Sequence, residues 1–131
     1  MKVRTVHYSK LRVYDVMHLP TKRIRVRGTF AYVSDGRRLD VASSEFLLMR
    51  EPNNRHDRCA IQIYSRQVLI GYVSAAQAAQ FAPLLDQLDA DGVVVNGAVT
   101  NVEATPKFQV DLPTLPAFRA FVESVVARTT A

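Results

Sequence analysis

The sequence has few of the residues that cross-link small proteins or bind metals. Cys59 is the one cysteine among 131 residues, which rules out an intramolecular disulfide. It also excludes, within one chain, a zinc site of four cysteines or of two cysteines and two histidines. The longest apolar run, residues 68–73, is far too short to span a membrane, and residues 1–8 lack the apolar core of a secretory signal. We therefore expect a soluble cytoplasmic protein, associated with the nucleoid if it is bacterial.

The familiar catalytic motifs are missing as well. The five glycines are scattered, so there is no glycine-rich phosphate loop, and neither a HExxH motif nor a nucleophile elbow is present. His56 and Cys59 are three residues apart, which places them on opposite faces of a strand. Cys59 also continues the apolar face of Ile61 and Ile63, and this favours a buried structural cysteine over a nucleophile. We expect no catalysis, cofactor or metal; a metal-dependent nuclease that uses Asp57 with nearby Glu51 is the catalytic alternative.

The composition is that of one globular domain with an uneven distribution of charge. Hydrophobic residues make up 48% and charged residues 22%, and the length falls in the usual domain range of about 100–150 residues. The net charge is +5. Residues 1–38 contain ten basic and two acidic residues, a net charge of +8, whereas the other 93 residues have a net charge of −3. Such a basic region is typical of phosphate contacts, and its alternative is an ordinary solvated surface.

Alternation of apolar and charged residues predicts a half-buried strand over Lys22–Val33. Gly28 interrupts it, which suggests a bulge or a close approach by another backbone. The pattern alone places Phe30 and Tyr32 in the core, although a bulge at Gly28 would shift the register and present them differently. The apolar face consists of Ile24, Val26, Phe30 and Tyr32, and the charged face of Arg23, Arg25 and Arg27. The alternative role for this row of arginines is to protect an exposed sheet edge.

Further patterns predict the remaining elements. Ser74 and Gln77 form a capping box ahead of a helix that runs to about Leu88, and Pro83 is expected to split or kink this helix. Helical spacing of apolar residues over Leu115–Arg128 predicts an amphipathic C-terminal helix. Strands are expected at Glu45–Arg50, Cys59–Tyr64, Val68–Val73, Gly92–Val102 and Phe108–Leu112.

Short strands joined by turns predict a mainly β protein, α+β by count. The expected architecture is a small OB-like or SH3-like barrel of about six strands, with one inserted helix and one C-terminal amphipathic helix. Residues 1–21 are expected to form a basic arm or an extra strand, and residues 22–113 the barrel. Residues 114–131 are expected to form a helix packed on the barrel or at a dimer interface.

The most informative segment is a Glu51-Pro52-Asn53-Asn54 loop with Asp57 and Ala60-Ile61, followed by Gly71-Tyr72-Val73 and by the leucine pair Leu84-Leu85. Over about residues 24–112 the sequence resembles the HIRAN domain family. The resemblance implies an OB-like barrel without catalytic activity that binds the free 3′ end of single-stranded DNA, in DNA repair or replication-fork processing. In such domains bases stack on aromatic residues, and an Asp accepts a hydrogen bond from the terminal 3′-hydroxyl.

The resemblance also implies roles for individual residues. Asp57 matches the hydroxyl-binding Asp, and Asn54 matches the loop Asn that helps to hold the terminal nucleotide. His56, Tyr72 and Phe108 stand where the family places aromatic residues or His near the DNA. The DNA-binding residues expected in full are Arg27, Phe30, Tyr32, Asn54, His56, Asp57, Tyr72 and Phe108, with phosphate contacts from Arg23 and Arg25. The implied partners are single-stranded DNA and a helicase, translocase or nuclease, with a homodimer as a further alternative.

Departures from the family pattern support a second hypothesis. Ala31 stands where a basic or aromatic residue is usual, His56 where an aromatic is often found, and Ala75 where a basic residue often follows the Gly-Tyr-Val segment. These positions favour a protein-interaction or scaffold module on the same barrel, with weak non-specific nucleic-acid binding. Asn54 and Asp57 also have a purely structural alternative, since such side chains commonly cap turns.

Overall fold

The structure, a computed structural model, describes residues 8–101 and 103–130 and contains seven strands, two α-helices and four short 3-10 helices in that part of the chain. Residues 1–7 of the expected basic arm, and Val102 at the end of an expected strand, lie outside the described residues. No described helix is long and apolar enough to cross a membrane. The elements are β1 (Val13–Asp15), β2 (Thr21–Arg25), β3 (Glu45–Arg50), β4 (Ile61–Ser65), β5 (Val68–Tyr72), α1 (Ala75–Gln87), β6 (Gly92–Thr100), β7 (Lys107–Pro113) and α2 (Leu115–Thr130).

Six of the strands form a barrel in the order β2-β7-β6-β3-β4-β5, and β1 pairs in parallel with β6 outside this order. The first half of β6 pairs with β3 and its second half with β7, so this long strand belongs to both halves of the barrel. β5 meets the chain just after β2, where Arg27 and Tyr72 exchange a pair of backbone hydrogen bonds of 2.8 Å. We call this bridge the closing seam. The expected mainly β barrel with two helices is confirmed.

Gly71 makes the close approach at the closing seam sterically feasible. Its φ is +152°, a conformation that L side chains rarely adopt. A Cβ at this position would collide with the carbonyl oxygen of Arg27 and would lie 2.6 Å from Cγ1 of Val26. The glycine of the Gly-Tyr-Val segment therefore allows β5 to reach the chain that follows β2.

The main core lies inside the barrel and against both helices. Phe118 and Val122 of α2 are buried in it, and the Phe118 ring packs on Phe81 of α1 with centroids 5.7 Å apart. A second buried cluster on the other side of the sheet consists of Leu47, Tyr64 and Leu69. Because both sides are covered, every residue of β4 is buried, and the alternation expected for a half-buried strand is lost.

The predicted strand over Lys22–Val33 is wrong beyond Arg25. Gly28 has φ +77° and opens a short 3-10 turn at Thr29–Ala31, in which the Ala31 N–H donates to the Gly28 carbonyl. The turn, not a bulge, breaks the register, so Thr29 is buried and Phe30 points outward with 78% of its surface exposed. The expectation that Phe30 packs in the core with Ile24 and Val26 is therefore also wrong.

Two further expectations differ from the structure for clear reasons. The strand predicted over Cys59–Tyr64 begins two residues later, at Ile61. Cys59 lies in the preceding loop and is half-buried there, so the expected burial of this cysteine is only partial. Pro83 does not split α1, which continues to Gln87 because its buried face, from Ala78 to Leu85, is held by the core. Ser74 is confirmed as the N-cap of α1, since the Gln77 N–H donates to Oγ of Ser74 over 3.4 Å. The other half of the predicted capping box differs, because Oε1 of Gln77 accepts from the Ser74 hydroxyl at 2.8 Å instead of from the Ser74 backbone N–H.

Candidate functional site

The loop between β3 and β4 is closed by backbone hydrogen bonds and by one arginine. The Glu51 N–H donates to the carbonyl of Ala60 over 2.9 Å, which joins the two ends of the loop. The guanidinium of Arg50 donates to the carbonyls of Ala60 and Arg58, at 2.8 and 2.9 Å, and pairs with Asp86 of α1 at 2.9 Å. We call residues 51–60 the end loop; its shape is set by these contacts before any ligand arrives.

Asn54 and Asp57 both act as caps inside the end loop. Oδ1 of Asn54 accepts hydrogen bonds from the backbone N–H of His56 (2.8 Å) and of Asp57 (3.1 Å). Oδ1 of Asp57 accepts from the Cys59 N–H at 2.9 Å. The structural alternative raised for these residues is therefore realised. These hydrogen bonds also fix the orientation of the Asn54 and Asp57 side chains. The second carboxylate oxygen of Asp57 has no hydrogen-bond partner among the described residues.

Glu51 connects the end loop to β4 and β5. One of its oxygens accepts from the Tyr72 hydroxyl (2.9 Å) and from Nδ2 of Asn54 (2.5 Å), and the other accepts from Nε2 of Gln62 (2.6 Å). Burial raises the pKa of Tyr72 first, and its hydrogen bonds to Glu51 and to Tyr32 raise it further. Tyr72 therefore remains a protonated donor at neutral pH. Its hydroxyl is directed toward the protein instead of toward a ligand.

The remaining expected aromatic residues fall into two groups. His56 is exposed on the end loop, and Tyr32 is half-buried with its ring 5.7 Å from that of Tyr72. Phe108 is only 2% exposed and packs edge-on against Phe46 with centroids 6.3 Å apart. The expected stacking of a base on Phe108 finds no support in this geometry, because the side chain is almost fully buried.

The structure brings a second set of residues together beside the closing seam, in a groove of about 340 Å³ between β2, β7 and the turn after Ser34. Among the described residues that line it there is no acidic side chain. Exposed Phe30 forms one wall, and Phe108 contributes to the floor. We call this cavity the basic groove; its cationic residues are Arg25, Arg27, Arg38 and Lys107.

Arg23, the other expected phosphate contact, does not belong to the basic groove. Its Nε donates to Oδ1 of Asp111 at 2.8 Å and its Nη2 to Oδ2 at 3.2 Å, a two-point ion pair across β2 and β7. The hydrogen bond and then the charge of Asp111 raise the pKa of Arg23. Its charge is already matched by a carboxylate, so its expected role as a phosphate contact finds no support in this geometry.

No group of three or more His, Cys, Asp or Glu side chains is placed to hold a metal ion anywhere in residues 8–101 and 103–130. The carboxylates of the catalytic alternative also serve different partners. Glu51 accepts hydrogen bonds from β4 and β5, whereas Asp57 caps the backbone of the end loop.

Comparison with known protein families identifies the family to which this chain belongs. The model of the HIRAN domain matches residues 23–115, which is most of the chain. The chain belongs to the HIRAN domain family. This is a family of binding domains, known for binding nucleic acid.

One solved structure resembles this HIRAN domain in fold, and a second aligns with it at a lower score. A crystal structure of a protein from Lactobacillus plantarum aligns with a TM-score of 0.56 and 21% identity, covering 71% of this chain and 90% of that chain. The crystal structure of the HIRAN domain of human HLTF aligns with a TM-score of 0.49 and 19% identity, covering 82% and 87%. A search of curated protein sequences finds no significant match.

Sequence reasoning missed two cations of the basic groove in this HIRAN domain. Arg38 and Lys107 lie 69 positions apart in the sequence and meet because Nη1 of Arg38 donates to the carbonyl of Pro106 at 2.8 Å. The only local signal is the Arg37-Arg38 pair, which indicates positive charge but not which of the two side chains turns toward the groove. Arg37 is exposed to solvent, whereas Arg38 is 5% exposed.

Proposed function

We propose that this HIRAN domain is a non-catalytic module that captures single-stranded DNA by its free 3′-hydroxyl end. The observation that carries the proposal is the carboxylate of Asp57. One oxygen is committed to the Cys59 N–H, which fixes the orientation of the group, and the other has no partner among the described residues. A carboxylate held in this way accepts a charge-assisted hydrogen bond from a hydroxyl and repels a terminal phosphate. The site therefore distinguishes a 3′-hydroxyl from a 3′-phosphate and does not distinguish base sequences.

Other residues of the end loop support the same proposal. An open depression of about 510 Å³ is lined by Pro52, Asn53, Asn54, Arg55 and Arg58. The two arginines are exposed and flank the carboxylate in the sequence, so they offer positive charge for the last phosphodiester. Exposed His56 offers a flat ring beside them. Single-strand binding sites commonly combine such cations with flat rings on which bases stack.

The test separates the charge of Asp57 from its role as a cap. Asp57→Asn keeps Oδ1 as the acceptor for the Cys59 N–H but removes the negative charge, whereas Asp57→Ala removes both. Fluorescence anisotropy compares oligo-dT that ends in a 3′-hydroxyl, in a 3′-phosphate or in a hairpin. We expect the native protein to prefer the hydroxyl by about tenfold, the ratio that 1.4 kcal/mol produces. Asp57→Asn should lose this preference and retain its unfolding temperature.

A matched control is Glu123→Gln, because Glu123 is exposed on α2, far in the sequence from the end loop. This variant should retain the full preference for the hydroxyl. If Asp57→Asn also retained it, the assignment of Asp57 as the end-recognising group would be wrong. Equal binding of all three ends by the native protein would refute end capture itself.

A second candidate is a protein-interaction module on the same barrel. The observation that favours it is the exposure of two large apolar side chains, Phe30 at 78% and Leu39 at 52%. Weak, salt-insensitive DNA binding together with a stable oligomer would support this candidate over DNA capture. The expected helicase, translocase or nuclease partner, the homodimer and the cytoplasmic location stay predictions.

A further inference from the structure

Strand β2 has a neighbouring strand on one side only. It pairs with β7, and β5 reaches the chain just after β2, at the closing seam. Beyond Tyr72 the chain turns into α1, which begins at Ala75, so β5 does not continue along β2. Four of the five residues of β2 are exposed, and Ile24 is the buried one. The side of β2 that faces away from β7 therefore has no neighbouring strand among the described residues.

The register of β2 shows which backbone groups point to this free side. The Val26 N–H donates to the carbonyl of Phe108 at 3.0 Å, just beyond the paired residues of β2 and β7. Opposite residues of an antiparallel pair alternate between hydrogen-bonded and non-hydrogen-bonded pairs. Arg23 and Arg25 therefore direct their N–H and C=O groups away from β7, as Arg27 does at the closing seam. No described residue bonds to these groups of Arg23 and Arg25. We call this side of Thr21–Arg25 the open edge.

The open edge is protected by charge alone. Natural proteins also block such edges with proline, with a bulge or with a covering segment. The pairing of β2 with β7 runs from Thr21 to Arg25 without a register shift, so no bulge bends the edge away. Because the arginines of a second copy would repel those of the first, this protection acts against self-association and favours a strand of opposite charge.

The charges of β2 fit an acidic strand. Lys22 and Arg25 are exposed and have no ion-pair partner among the described residues. Arg23 pairs with Asp111 of β7, but its side chain is still 49% exposed. Side chains directly opposite each other in an antiparallel pair lie on the same face of the sheet. Carboxylates at alternate positions of an added strand would therefore lie beside Arg23 and Arg25.

The backbone groups of the open edge favour a peptide over a nucleic acid. Each outward residue offers one donor and one acceptor, and another strand pairs with both. A phosphate group accepts hydrogen bonds and does not donate them. A phosphate backbone bound here would therefore pair with the N–H groups of Arg23 and Arg25 and leave their carbonyls unpaired.

We propose that the open edge binds an extended acidic peptide segment of a partner protein, which adds an antiparallel strand to the barrel. Backbone hydrogen bonds to Arg23 and Arg25 supply the pairing, and alternate Asp or Glu side chains of the peptide supply the selectivity. The positions between them lie on the face of Ile24 and take apolar side chains. This inference does not rest on the capture of DNA ends, because the end loop contributes no residue to the open edge.

The probe is a fluorescent peptide of roughly seven residues, a length within the usual range of strands, in which Glu and Val alternate and both termini are blocked. An analogue with Lys in place of Glu tests the charge. A peptide of the same composition with its Glu residues grouped together tests the alternation. Anisotropy titrations should give the alternating Glu peptide an affinity about tenfold above that of either analogue. Its affinity should fall as salt rises, because the paired charges are exposed.

N-methylation of the peptide separates strand pairing from simple charge attraction. Methyl groups on the Glu nitrogens remove the N–H groups that face Arg23 and Arg25, and they should weaken binding by about tenfold. An equal number of methyl groups on the Val nitrogens is the matched control. Those N–H groups point away from β2, so their loss should change the affinity little.

On the protein, Arg23→Pro and Arg23→Gln form a matched pair. Both remove the charge, but only proline removes the N–H at the open edge, a position at which strands tolerate proline. Arg23→Pro should therefore bind the alternating Glu peptide about tenfold more weakly than Arg23→Gln. Arg25→Glu should shift the preference toward the Lys peptide, whereas Arg119→Glu, which replaces an exposed cation on α2, should not. Unfolding temperatures check that each variant is folded, and the methylated peptides decide the inference if Arg23→Pro unfolds.

Three results would overturn the inference. Equal affinity for the alternating and the grouped Glu peptides would show charge attraction without an added strand. Equal effects of methylation at Glu and at Val would show the same. Weaker binding of oligo-dT by Arg23→Pro than by Arg23→Gln, with no peptide bound, would assign the open edge to a nucleic acid. None of these results alters the preference for a 3′-hydroxyl, so the proposed function stands or fails separately.

Discussion

The end loop and the basic groove use their polar residues in opposite ways. In the end loop, Glu51, Asn54 and Asp57 each make hydrogen bonds within the protein. In the basic groove, Arg25 and Lys107 have no ion-pair partner among the described residues. The end loop is held by internal hydrogen bonds and leaves one oxygen of Asp57 without a partner among the described residues. The basic groove instead carries the charges of Arg25 and Lys107 without an ion pair among those residues.

This difference predicts that the end loop provides selectivity and the basic groove provides affinity. A hydrogen-bonded loop is preorganised, so it loses little conformational freedom on binding and discriminates by geometry. Unmatched cations attract phosphates at longer range and without sequence preference, but salt weakens them. Selectivity and affinity are therefore expected to respond to different mutations. The following changes test that separation, from the largest expected effect to the smallest.

Phe108→Ala and Phe30→Ala should separate stability from affinity at the basic groove. Phe108 is buried, so its truncation should lower the free energy of unfolding by about 3–5 kcal/mol. Phe30 is exposed, so its truncation should leave stability nearly unchanged and weaken oligo-dT binding by about 1–3 kcal/mol. Urea unfolding and anisotropy measure the two quantities. A strongly destabilised Phe30→Ala would contradict the assigned exposure of the ring.

Gly71→Ala should damage both regions together, because it opens the closing seam between them. The added Cβ meets the Arg27 carbonyl at a strained φ, and we expect a loss of about 3 kcal/mol in unfolding free energy from strain and overpacking. Gly36→Ala is the control, since nothing lies within 4 Å of its added Cβ. Urea unfolding compares the two variants, and equal stabilities would mean that the seam is not a point of close packing.

Glu51→Ala should affect the end loop and spare the basic groove. It leaves three donors without their acceptor, on Tyr72, Asn54 and Gln62, at an expected cost of about 2 kcal/mol in unfolding free energy. We expect the preference for a 3′-hydroxyl to fall while the salt dependence of binding is retained. Glu45→Ala, which removes an exposed carboxylate at the start of β3, is the control. A change in the salt slope for Glu51→Ala alone would show that the two regions are coupled.

Tyr72→Phe should produce the smallest effect, visible at alkaline pH. The raised pKa of Tyr72 means that the folded state favours the protonated hydroxyl more than the unfolded chain does. This contribution is fully present below the unfolded pKa of about 10 and is lost as pH rises through the folded value. Urea midpoints should therefore decline above about pH 10 in the native protein, and less so in Tyr72→Phe. Tyr14→Phe is the comparison variant; an equal effect there would assign the decline to tyrosines in general.

Much of the framework was predictable from local sequence. β3 and the N-cap at Ser74 were predicted at their observed positions, because turns, caps and hydrophobic periodicity are encoded within a few residues. The position of the end loop followed from its Pro and Asn content in the same way. Its internal hydrogen bonds were predicted only as an alternative, since a sequence does not reveal whether Asn54 and Asp57 cap backbone groups, contact a ligand or do both.

Only the tertiary structure decided which side chains face outward. Phe30 and Phe108 were both expected to stack on bases, yet one is exposed and the other is in the core. The turn that begins at Gly28 directs Phe30 outward, and Phe108 packs edge-on against Phe46. Arg38 is brought to Lys107 by a hydrogen bond to the carbonyl of Pro106, which lies 68 residues away in the sequence. The sequence by itself determined β3 to β7, the two α-helices and a basic N-terminal third, since these depend on local pattern and composition. The pairing of Arg23 and the assembly of the basic groove were decided by contacts between distant segments, which no local pattern contains.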